Sequence, residues 1–182
     1  MSGYKIKGSR EVFRGEVMSV RVDAITMPSG RVAEREVIAH RGAVGIVPLN
    51  TDGEVVLVKQ YRHPAGESLW EIPAGKLANA EKPAECARRE LIEEIGQAAG
   101  TLTKLASFYT TPGYSDEIIH IFLAEDLRPE PGDAPEDEIE EIKAVTVSEA
   151  VRMITEGQIK DGKTVAAIGL TALRLEGQIG HE

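Results

Sequence analysis

Residues 88–96 read RRELIEEIG, which places two arginines and three glutamates in nine positions. The surrounding segment has helical signals, because Pro83 suits the first turn of a helix and Gly96 suits its C-terminal cap. Like charges on one helical turn repel each other, so the glutamates need either water or a cation close by. The sequence therefore predicts a helix over residues 83–95 and raises the question of what its carboxylates face.

The apolar residues of this helix define its packing face. They recur at helical spacing and form one narrow stripe that predicts the contact with a sheet: Ala84, Ala87, Leu91 and Ile95. Glu90 and Glu94 lie at the border of the stripe, with no helical cation at the right spacing. A ladder of ion pairs can instead join Glu85, Arg89 and Glu93. The plainer alternative is a solvated, salt-bridged face, which is what most charged helices have.

The position of Glu90 and Glu94 at the edge of the apolar stripe suggests that a cation from outside the chain neutralises them. Partial burial of Glu90 and Glu94 without a partner would raise their pKa values and destabilise the fold. Two or three carboxylates at such spacing, with water and phosphate oxygens completing the shell, are how Mg²⁺ is usually held in proteins. The segment therefore predicts a divalent metal site.

The composition of the chain is that of a soluble globular protein and argues against several other classes. The chain has 182 residues, 42% of them hydrophobic and 28% charged, which is typical of one soluble domain with a buried core. A net charge of −9 argues against binding to nucleic acid or a membrane surface, since both need a basic face. Cys86 is the only cysteine, the first residues carry no signal-peptide pattern, and no apolar run has membrane-span length. We expect a cytoplasmic protein.

Most of the remaining segments read as strands. Residues 11–27 and 31–40 flank a turn at 28–30, and residues 42–49 and 54–62 flank NTDG, so each pair predicts a hairpin. Further strands are expected at 68–75, 104–110, 118–126 and 139–147, and two helices at 148–157 and 163–177. Strands before and after one central helix predict an α/β (α+β) fold with a mixed sheet between helical layers.

One motif invites a wrong assignment. GQIKDGKT, residues 157–164, satisfies the phosphate-loop pattern G-x-x-x-x-G-K-[ST]. Such a loop needs a buried strand before it, whereas the preceding residues Ala150, Val151 and Ile154 have helical spacing. Gly157 then suits a helix C-cap, and we predict a connector between two helices.

At this point the residues carry a family resemblance. The pattern resembles the Nudix box, G-x5-E-x7-R-E-U-x-E-E-x-G-U with U a bulky apolar residue, at Gly75, Glu81, Arg89, Glu90, Leu91, Glu93, Glu94 and Gly96. Gln97 departs from the final U. The resemblance implies a Nudix α-β-α sandwich with a central mixed sheet, preceded by a small N-terminal antiparallel sheet. Residues 1–42 would form that sheet and a dimer interface, and residues 43–182 the Nudix domain.

Segments outside the box resemble the ADP-ribose and nucleoside-diphosphate-sugar pyrophosphatase branch. They are VKQYR, EIPAGK, YTTPGYSDEIIHIFLAE and EDEIEEI, so the resemblance covers about residues 35–165. It implies that Glu90, Glu94 and the Ala74 carbonyl bind Mg²⁺ or Mn²⁺. It further implies that Glu93 ligates or supports the metal, with Arg89 orienting it. Glu138 would be general base or further ligand, with Glu136 as the less favoured neighbour.

The same resemblance implies a set of substrate-binding residues: Arg35, Arg62, Gly75 and Glu117. Arg35 would act across the dimer interface, and Glu117 near the distal sugar. Each has a plainer interpretation, since strand-end arginines and glutamates in exposed loops are usually solvated. Tyr114 or Trp70 could stack on adenine or be structural.

The implied reaction is hydrolysis of ADP-ribose to AMP and ribose 5-phosphate. Divalent cations would let an acidic protein bind an anionic nucleotide sugar and would activate the attacking water. Two alternatives remain open: hydrolysis of GDP-mannose or of a broad set of such sugars, and a Nudix-fold sensor that binds ADP-ribose without cleaving it. Sensors of this kind usually lose box carboxylates, and this chain keeps all of them.

Overall fold

The computed structural model describes residues 3–132 and 138–178. Within them the elements follow in the order β1 (Lys5–Arg14), β2 (Ser19–Thr26), β3 (Val32–Ala39), β4 (Ala43–Pro48), β5 (Glu54–Arg62), β6 (Glu67–Glu71), β7 (Ala74–Lys76), α1 (Pro83–Ile95), β8 (Gln97–Tyr109), β9 (Ile118–Pro129), β10 (Glu141–Thr146), α2 (Val147–Thr155) and α3 (Gly162–Leu175). The chain divides into two units. The first is Met1–Gly42 with Phe108–Ile118, and the second is Ala43–Ser107 with Ile119–Glu182.

The first unit contains a small antiparallel sheet in the order β1-β2-β3. The prediction of one strand over residues 11–27 was wrong, because this stretch holds the end of β1 and all of β2. The chain reverses between them at Gly15, whose N–H donates to the Met18 carbonyl at 2.9 Å. The second turn follows the predicted position, with Gly30 at a φ of 82°. Every residue of β1 is exposed.

The second unit contains a four-stranded mixed sheet in the order β7-β4-β9-β8, in which β4 pairs parallel with β9 and antiparallel with β7. A separate sheet has the order β10-β5-β6. Helices α1 and α3 both contact β4, and α2 contacts β5 and β10. Because successive strand residues face opposite sides, β4 can support a helix on each face. The predicted class, a mixed sheet between helical layers preceded by a small N-terminal sheet, is confirmed.

The predicted hairpin of residues 42–49 and 54–62 was wrong. One isolated bridge joins Leu49, just after β4, to Val55 of β5, and the two strands enter different sheets. The sequence does not predict the pairing partner of either strand, because both strands are Val-rich and buried. A strand buried on both faces fits many partners equally well, so its neighbours are decided by the whole fold.

Helix α1 begins and ends where the sequence predicts. Gly96 has a φ of 63° and donates its N–H to the carbonyl of Ile92 at 3.0 Å, which is the expected left-handed cap. Its buried face joins a core cluster with β4 that includes Val44, Ile46, Cys86, Ala87 and Leu91. Ala84, predicted for this stripe, is exposed, because the buried face is rotated toward Cys86 and Glu90.

Residues 157–164 connect two helices, as predicted. Helix α2 precedes them, Gly157 has a φ of 73°, and the Asp161 side chain caps α3 by accepting from the Thr164 N–H. The strand that a phosphate loop requires is absent from this position. Among residues 3–132 and 138–178, no helix has both the length and the apolar character needed to cross a membrane.

Candidate functional site

The Glu90 carboxylate lies directly against the backbone of Gly75. A Cβ added to Gly75 would be 1.7 Å from Oε1 and 1.9 Å from Cδ of Glu90, so this close approach requires glycine. Glu90 is only 8% exposed. Burial raises its pKa above the ordinary value, against the effect of the neighbouring Arg89 guanidinium. Strand β7 and helix α1 thus enclose one carboxylate between them.

Glu94 lies one helical turn further along and faces the same strand. Its Oε2 accepts from the Ala74 N–H at 3.2 Å. Burial, reinforced by the charge of Glu90, raises the pKa of Glu94 to about 8, while the Ala74 N–H, Arg62 and Lys163 oppose the rise. The structure therefore brings a buried and a half-buried acidic group together, and the positive charge near Glu94 is too weak to offset the effect of burial on its pKa.

Arg89 contacts more carboxylates than the helical ladder predicts. Its Nη1 donates to Glu93 Oε2 at 2.8 Å, as expected for the i, i+4 pair, and also to Glu90 Oε1 at 2.7 Å. The expectation that Glu90 has no helical cation was therefore wrong. A helical wheel places Cβ atoms only, whereas the long arginine side chain reaches sideways to the adjacent residue. Glu85 does not join the ladder and pairs with Lys82 at 3.5 Å.

Glu81 takes the place that the ladder gave to Glu85. Its two carboxylate oxygens accept from Arg89 Nε at 3.0 Å and Nη2 at 3.1 Å, and Oε2 also accepts from the Ala78 N–H at 2.8 Å. The Arg89 hydrogen bonds lower the pKa of Glu81 to about 2. The two-pronged contact fixes the plane of the guanidinium, so that Nη1 meets Glu90 and Glu93 in one orientation.

Glu90 and Glu94 can hold a divalent cation if water or substrate oxygens supply its other ligands. Among the described residues, no group of three or more His, Cys, Asp or Glu side chains could hold a metal by itself. Mg²⁺ does not need such a cage, since one or two carboxylates with waters and substrate phosphates are its usual ligands. Glu90, which is buried, and Glu94, which is half-buried beside Ala74, supply two carboxylates that an ion would stabilise in the charged form.

In the absence of divalent cations, the free energy of unfolding is expected to fall as the pH rises from 4.5 to about 8. Over this range the unfolded chain releases the Glu94 proton, whereas the folded protein keeps it because the pKa is raised. Rising pH therefore favours unfolding through this group, by at most about 1.4 kcal/mol per pH unit. Urea unfolding in EDTA at several pH values measures the slope. Glu94→Gln should reduce it, and an unchanged slope would contradict the assignment.

Arg62 lies at the end of β5 and is held by a buried carboxylate that sequence reasoning missed. Its Nε and Nη2 donate to the two oxygens of Glu71 at 2.8 and 2.7 Å. Glu71 is 1% exposed and also contacts Lys163. Burial would raise the pKa of Glu71, but Arg62 and Lys163 together hold it below the ordinary value. The Arg62 Nη1 group takes no part in this pair.

Two predicted substrate-binding residues belong to the first unit. Arg35 is exposed on β3 and donates to the Glu34 carbonyl at 2.8 Å. Glu117 accepts from the Thr110 hydroxyl at 2.6 Å and lies 3.2 Å from His40 Nδ1. The other implied residues, apart from Glu138, lie around α1, β5 and β7 of the second unit: Arg62, Ala74, Gly75, Arg89, Glu90, Glu93 and Glu94.

Glu138 is exposed in a turn before β10, and Glu136 lies outside the described residues. The aromatic candidates differ in their surroundings. Tyr114 is 54% exposed. The Trp70 ring has Lys59 Nζ at 5.8 Å and Lys143 Nζ at 6.0 Å from its centroid, so lysines occupy positions where a base would stack.

The structure adds Glu71, Asp161, Lys163 and Thr164 to the surroundings of the carboxylate pair. Three of them belong to the segment that matches the phosphate-loop pattern. That match is wrong as a motif, whereas residues 159–165, IKDGKTV, also resemble relatives that hydrolyse GDP-mannose. The partners of Lys163 and Thr164 lie about 90 positions earlier in the chain, and no local pattern predicts such a contact.

Two family models match the chain in succession, from residue 4 to residue 168. The NUDIX domain model matches residues 39–168, and the model of the nucleoside diphosphate sugar hydrolase N-terminal domain matches residues 4–38. The ADP-ribose pyrophosphatase of Bacillus subtilis (strain 168) is 39% identical over 172 residues, covering 93% of each chain. The GDP-mannose pyrophosphatase of Pectobacterium atrosepticum is 39% identical over 142 residues, covering 73% of each chain.

A solved structure is similar over almost the full length. The crystal structure of an ADP compounds hydrolase superposes with a TM-score of 0.84 at 26% sequence identity, covering 96% of this chain and 95% of the other. The matched family model spans well over half of the chain and includes α1 with Glu90 and Glu94. The chain therefore belongs to the Nudix family.

Proposed function

We propose that this protein hydrolyses the pyrophosphate bond of a nucleoside diphosphate sugar, with ADP-ribose as preferred substrate and AMP and ribose 5-phosphate as products. The observation that carries the proposal is the close pair of Glu90, which is buried against Gly75, and Glu94, which is half-buried beside Ala74 and has its pKa raised to about 8. The choice of ADP-ribose is supported by the relative from Bacillus subtilis, which matches 93% of this chain.

In this proposal Glu90, Glu94 and the carbonyl of Ala74 hold Mg²⁺ or Mn²⁺. When bound, the cation neutralises charge on the phosphates and lowers the pKa of a bound water. Arg89, fixed by Glu81, keeps Glu90 and Glu93 in place. Arg62 Nη1, which has no hydrogen-bond partner among the described residues, can donate charge-assisted hydrogen bonds to phosphate oxygens.

The remaining roles are proposed from the family resemblance. Glu138 accepts the proton of the attacking water, or ligates the metal, and its exposed position leaves it accessible to substrate. Arg35 and Glu117 bind the substrate, with Arg35 acting across a dimer interface. Gly75 contacts the substrate through its backbone, because it has no side chain.

We further propose a cytoplasmic homodimer formed through residues 1–42, with residues 43–182 as the catalytic domain. The support is the apolar surface of the first unit. Ile6 is 70% exposed, Phe13 53% and Val12 48%, all on β1. Apolar residues clustered on one exposed strand are typical of protein interfaces.

A substrate panel tests the proposed reaction. ADP-ribose, ADP-glucose, GDP-mannose, NADH and diadenosine polyphosphates are each incubated with Mg²⁺, and monophosphate products are measured through a coupled phosphatase. We expect the highest kcat/KM for ADP-ribose and loss of activity in EDTA, since the cation generates the nucleophile.

The same panel separates the alternatives. Faster turnover of GDP-mannose would favour the second substrate, which the Pectobacterium relative suggests. Tight binding of ADP-ribose without turnover would favour a sensor, although the retention of every box carboxylate argues against it. No turnover of any compound by metal-replete protein would exclude the hydrolase.

A further inference from the structure

The segment that precedes Glu117 is bound to the end of strand β3. Ile38 donates its N–H to the Tyr114 carbonyl at 2.8 Å and accepts from the Asp116 N–H at 3.1 Å. These bonds make a parallel bridge between Ile38 and Ser115. All of these residues belong to the first unit. The backbone just before Glu117 is therefore placed by the small sheet.

The Asp116 carboxylate adds two bonds to this attachment. Its Oδ1 accepts from the His40 N–H at 2.9 Å, and its Oδ2 accepts from Arg21 Nη1 at 3.2 Å. The second bond joins residues that are 95 positions apart, and Arg21 belongs to β2, the middle strand of the sheet. Each oxygen of the Asp116 carboxylate thus has a donor from the first 42 residues.

Arg21 is itself held in one orientation. Its Nε donates to Asp23 Oδ2 at 3.2 Å, and Asp23 is only 6% exposed. A guanidinium is planar and its N–H groups have fixed directions, so two carboxylates on different nitrogens define how it lies. Arg21 therefore links a buried carboxylate of β2 to the residue directly before Glu117.

The Glu117 carboxylate is arranged for a precise contact. Its Oε2 accepts from the Thr110 hydroxyl at 2.6 Å, and its Oε1 lies 3.2 Å from His40 Nδ1. An ionised carboxylate has about four lone-pair sites, so both oxygens can still accept from a sugar hydroxyl. Such a bond weakens steeply when distance or angle changes. The contact with a sugar therefore depends on how the preceding backbone is placed.

A purely structural role explains Arg21 less well. The segment is already attached by the two bonds of Ile38 and by the His40 N–H. The side chains of Arg21 and Asp116 are 33% and 41% exposed, and ion pairs with this much contact with water contribute little to stability. What the pair adds is a fixed orientation of the Asp116 side chain, and with it the direction in which the chain enters Glu117.

We propose that Arg21 is a positioning residue that acts through Asp116 and holds Glu117 where it binds the distal sugar of the substrate. The inference rests on the proposed function, because Glu117 is a substrate-binding residue only in that proposal. It makes a residue of β2 a determinant of specificity. Affinity for the distal sugar depends on Arg21, whereas affinity for the nucleotide and the pyrophosphate does not.

The test compares ADP-ribose with the methyl ester of ADP, in which a methyl group replaces the distal ribose. With Mg²⁺ present, KM is measured for ADP-ribose and Ki for the ester as its competitor, in Arg21→Met and Asp116→Asn. The asparagine is nearly isosteric and can still accept from the His40 N–H. We expect each variant to raise KM by about 5- to 20-fold, to change kcat by less than about threefold and to change Ki by less than about twofold.

Arg152→Met is the matched control. Arg152 also joins two carboxylates, those of Glu149 and Glu156, but it lies on α2 and is 54% exposed. Its removal takes away the same number of ion pairs without touching the first unit, so KM and Ki should both stay within about twofold of the wild type.

A double-mutant cycle separates positioning from folding. Glu117→Gln should itself raise KM, and Arg21→Met added to it should change KM by less than about twofold, because both remove one interaction. Equal increases in KM and Ki, full additivity in the cycle, or a lower melting temperature with unchanged KM would each overturn the inference. If the wild type cleaves no nucleotide sugar, the proposed function itself fails.

Discussion

Glu94→Gln is expected to reduce kcat for ADP-ribose by a factor on the order of 10²–10³ while leaving the fold intact. The amide is nearly isosteric and can still accept from the Ala74 N–H, but it cannot carry the negative charge that a divalent cation needs. Because the pKa of Glu94 is about 8, the metal-free wild type already carries a neutral group there at pH 7. Stability in EDTA should therefore be maintained.

Steady-state kinetics over a range of Mg²⁺ concentrations measures this loss, with circular dichroism as the check on folding. Glu85→Gln is the matched control, since Glu85 is on the same helix, is 62% exposed and contacts Lys82. The control should behave as the wild type. Full activity in Glu94→Gln would remove Glu94 from the metal site.

Gly75→Ala is expected to be almost as damaging, although it adds a single methyl group. The new Cβ would lie 1.7 Å from Glu90 Oε1, so either the carboxylate or strand β7 must move. Overpacking of this kind costs about 1–3 kcal/mol of unfolding free energy. Displacement of Glu90 would also disturb the proposed metal ligands, and we expect kcat to fall by about 100-fold or more.

Urea unfolding and kinetics on the same preparation separate the two effects. Gly169→Ala is the control, because a Cβ there meets no atom within 4 Å and helix α3 favours alanine over glycine. That variant should be as active as the wild type and slightly more stable. If Gly75→Ala retains wild-type activity, Glu90 does not act from the position that the structure gives it.

The parts of the fold that the sequence predicts are those with local causes. Helix α1 is set by Pro83, Gly96 and the apolar spacing between them, all within one segment. The pairing of β4 has no such cause: it neighbours β7 and β9 rather than β5, because a Val-rich buried strand is compatible with several partners. For β4, the existence of the strand is therefore predictable from the sequence, whereas its neighbours in the sheet are not.

In the candidate site, too, the residues with local sequence signals are predictable and the contacts between distant segments are not. Glu90 and Glu94 are indicated by a dense motif on one helix, and the wheel shows that both border the packed face. The contact of Arg89 with Glu90 depends on a side-chain conformation that a wheel does not contain. The Arg62–Glu71–Lys163 cluster joins residues up to about 100 positions apart, and only the folded chain brings them together.

The bond between Thr164 and Ile72 has a consequence for the order of synthesis. A ribosome has added Glu90 and Glu94 when about half of the chain has been made, but Asp161, Lys163 and Thr164 near them follow only near the end. A nascent chain arrested before α3 carries Glu90 and Glu94 without Lys163 or the hydrogen bond to Ile72. Divalent cations should then stabilise finished chains over truncated ones, because binding energy at a preformed site adds to the folding energy of the complete protein.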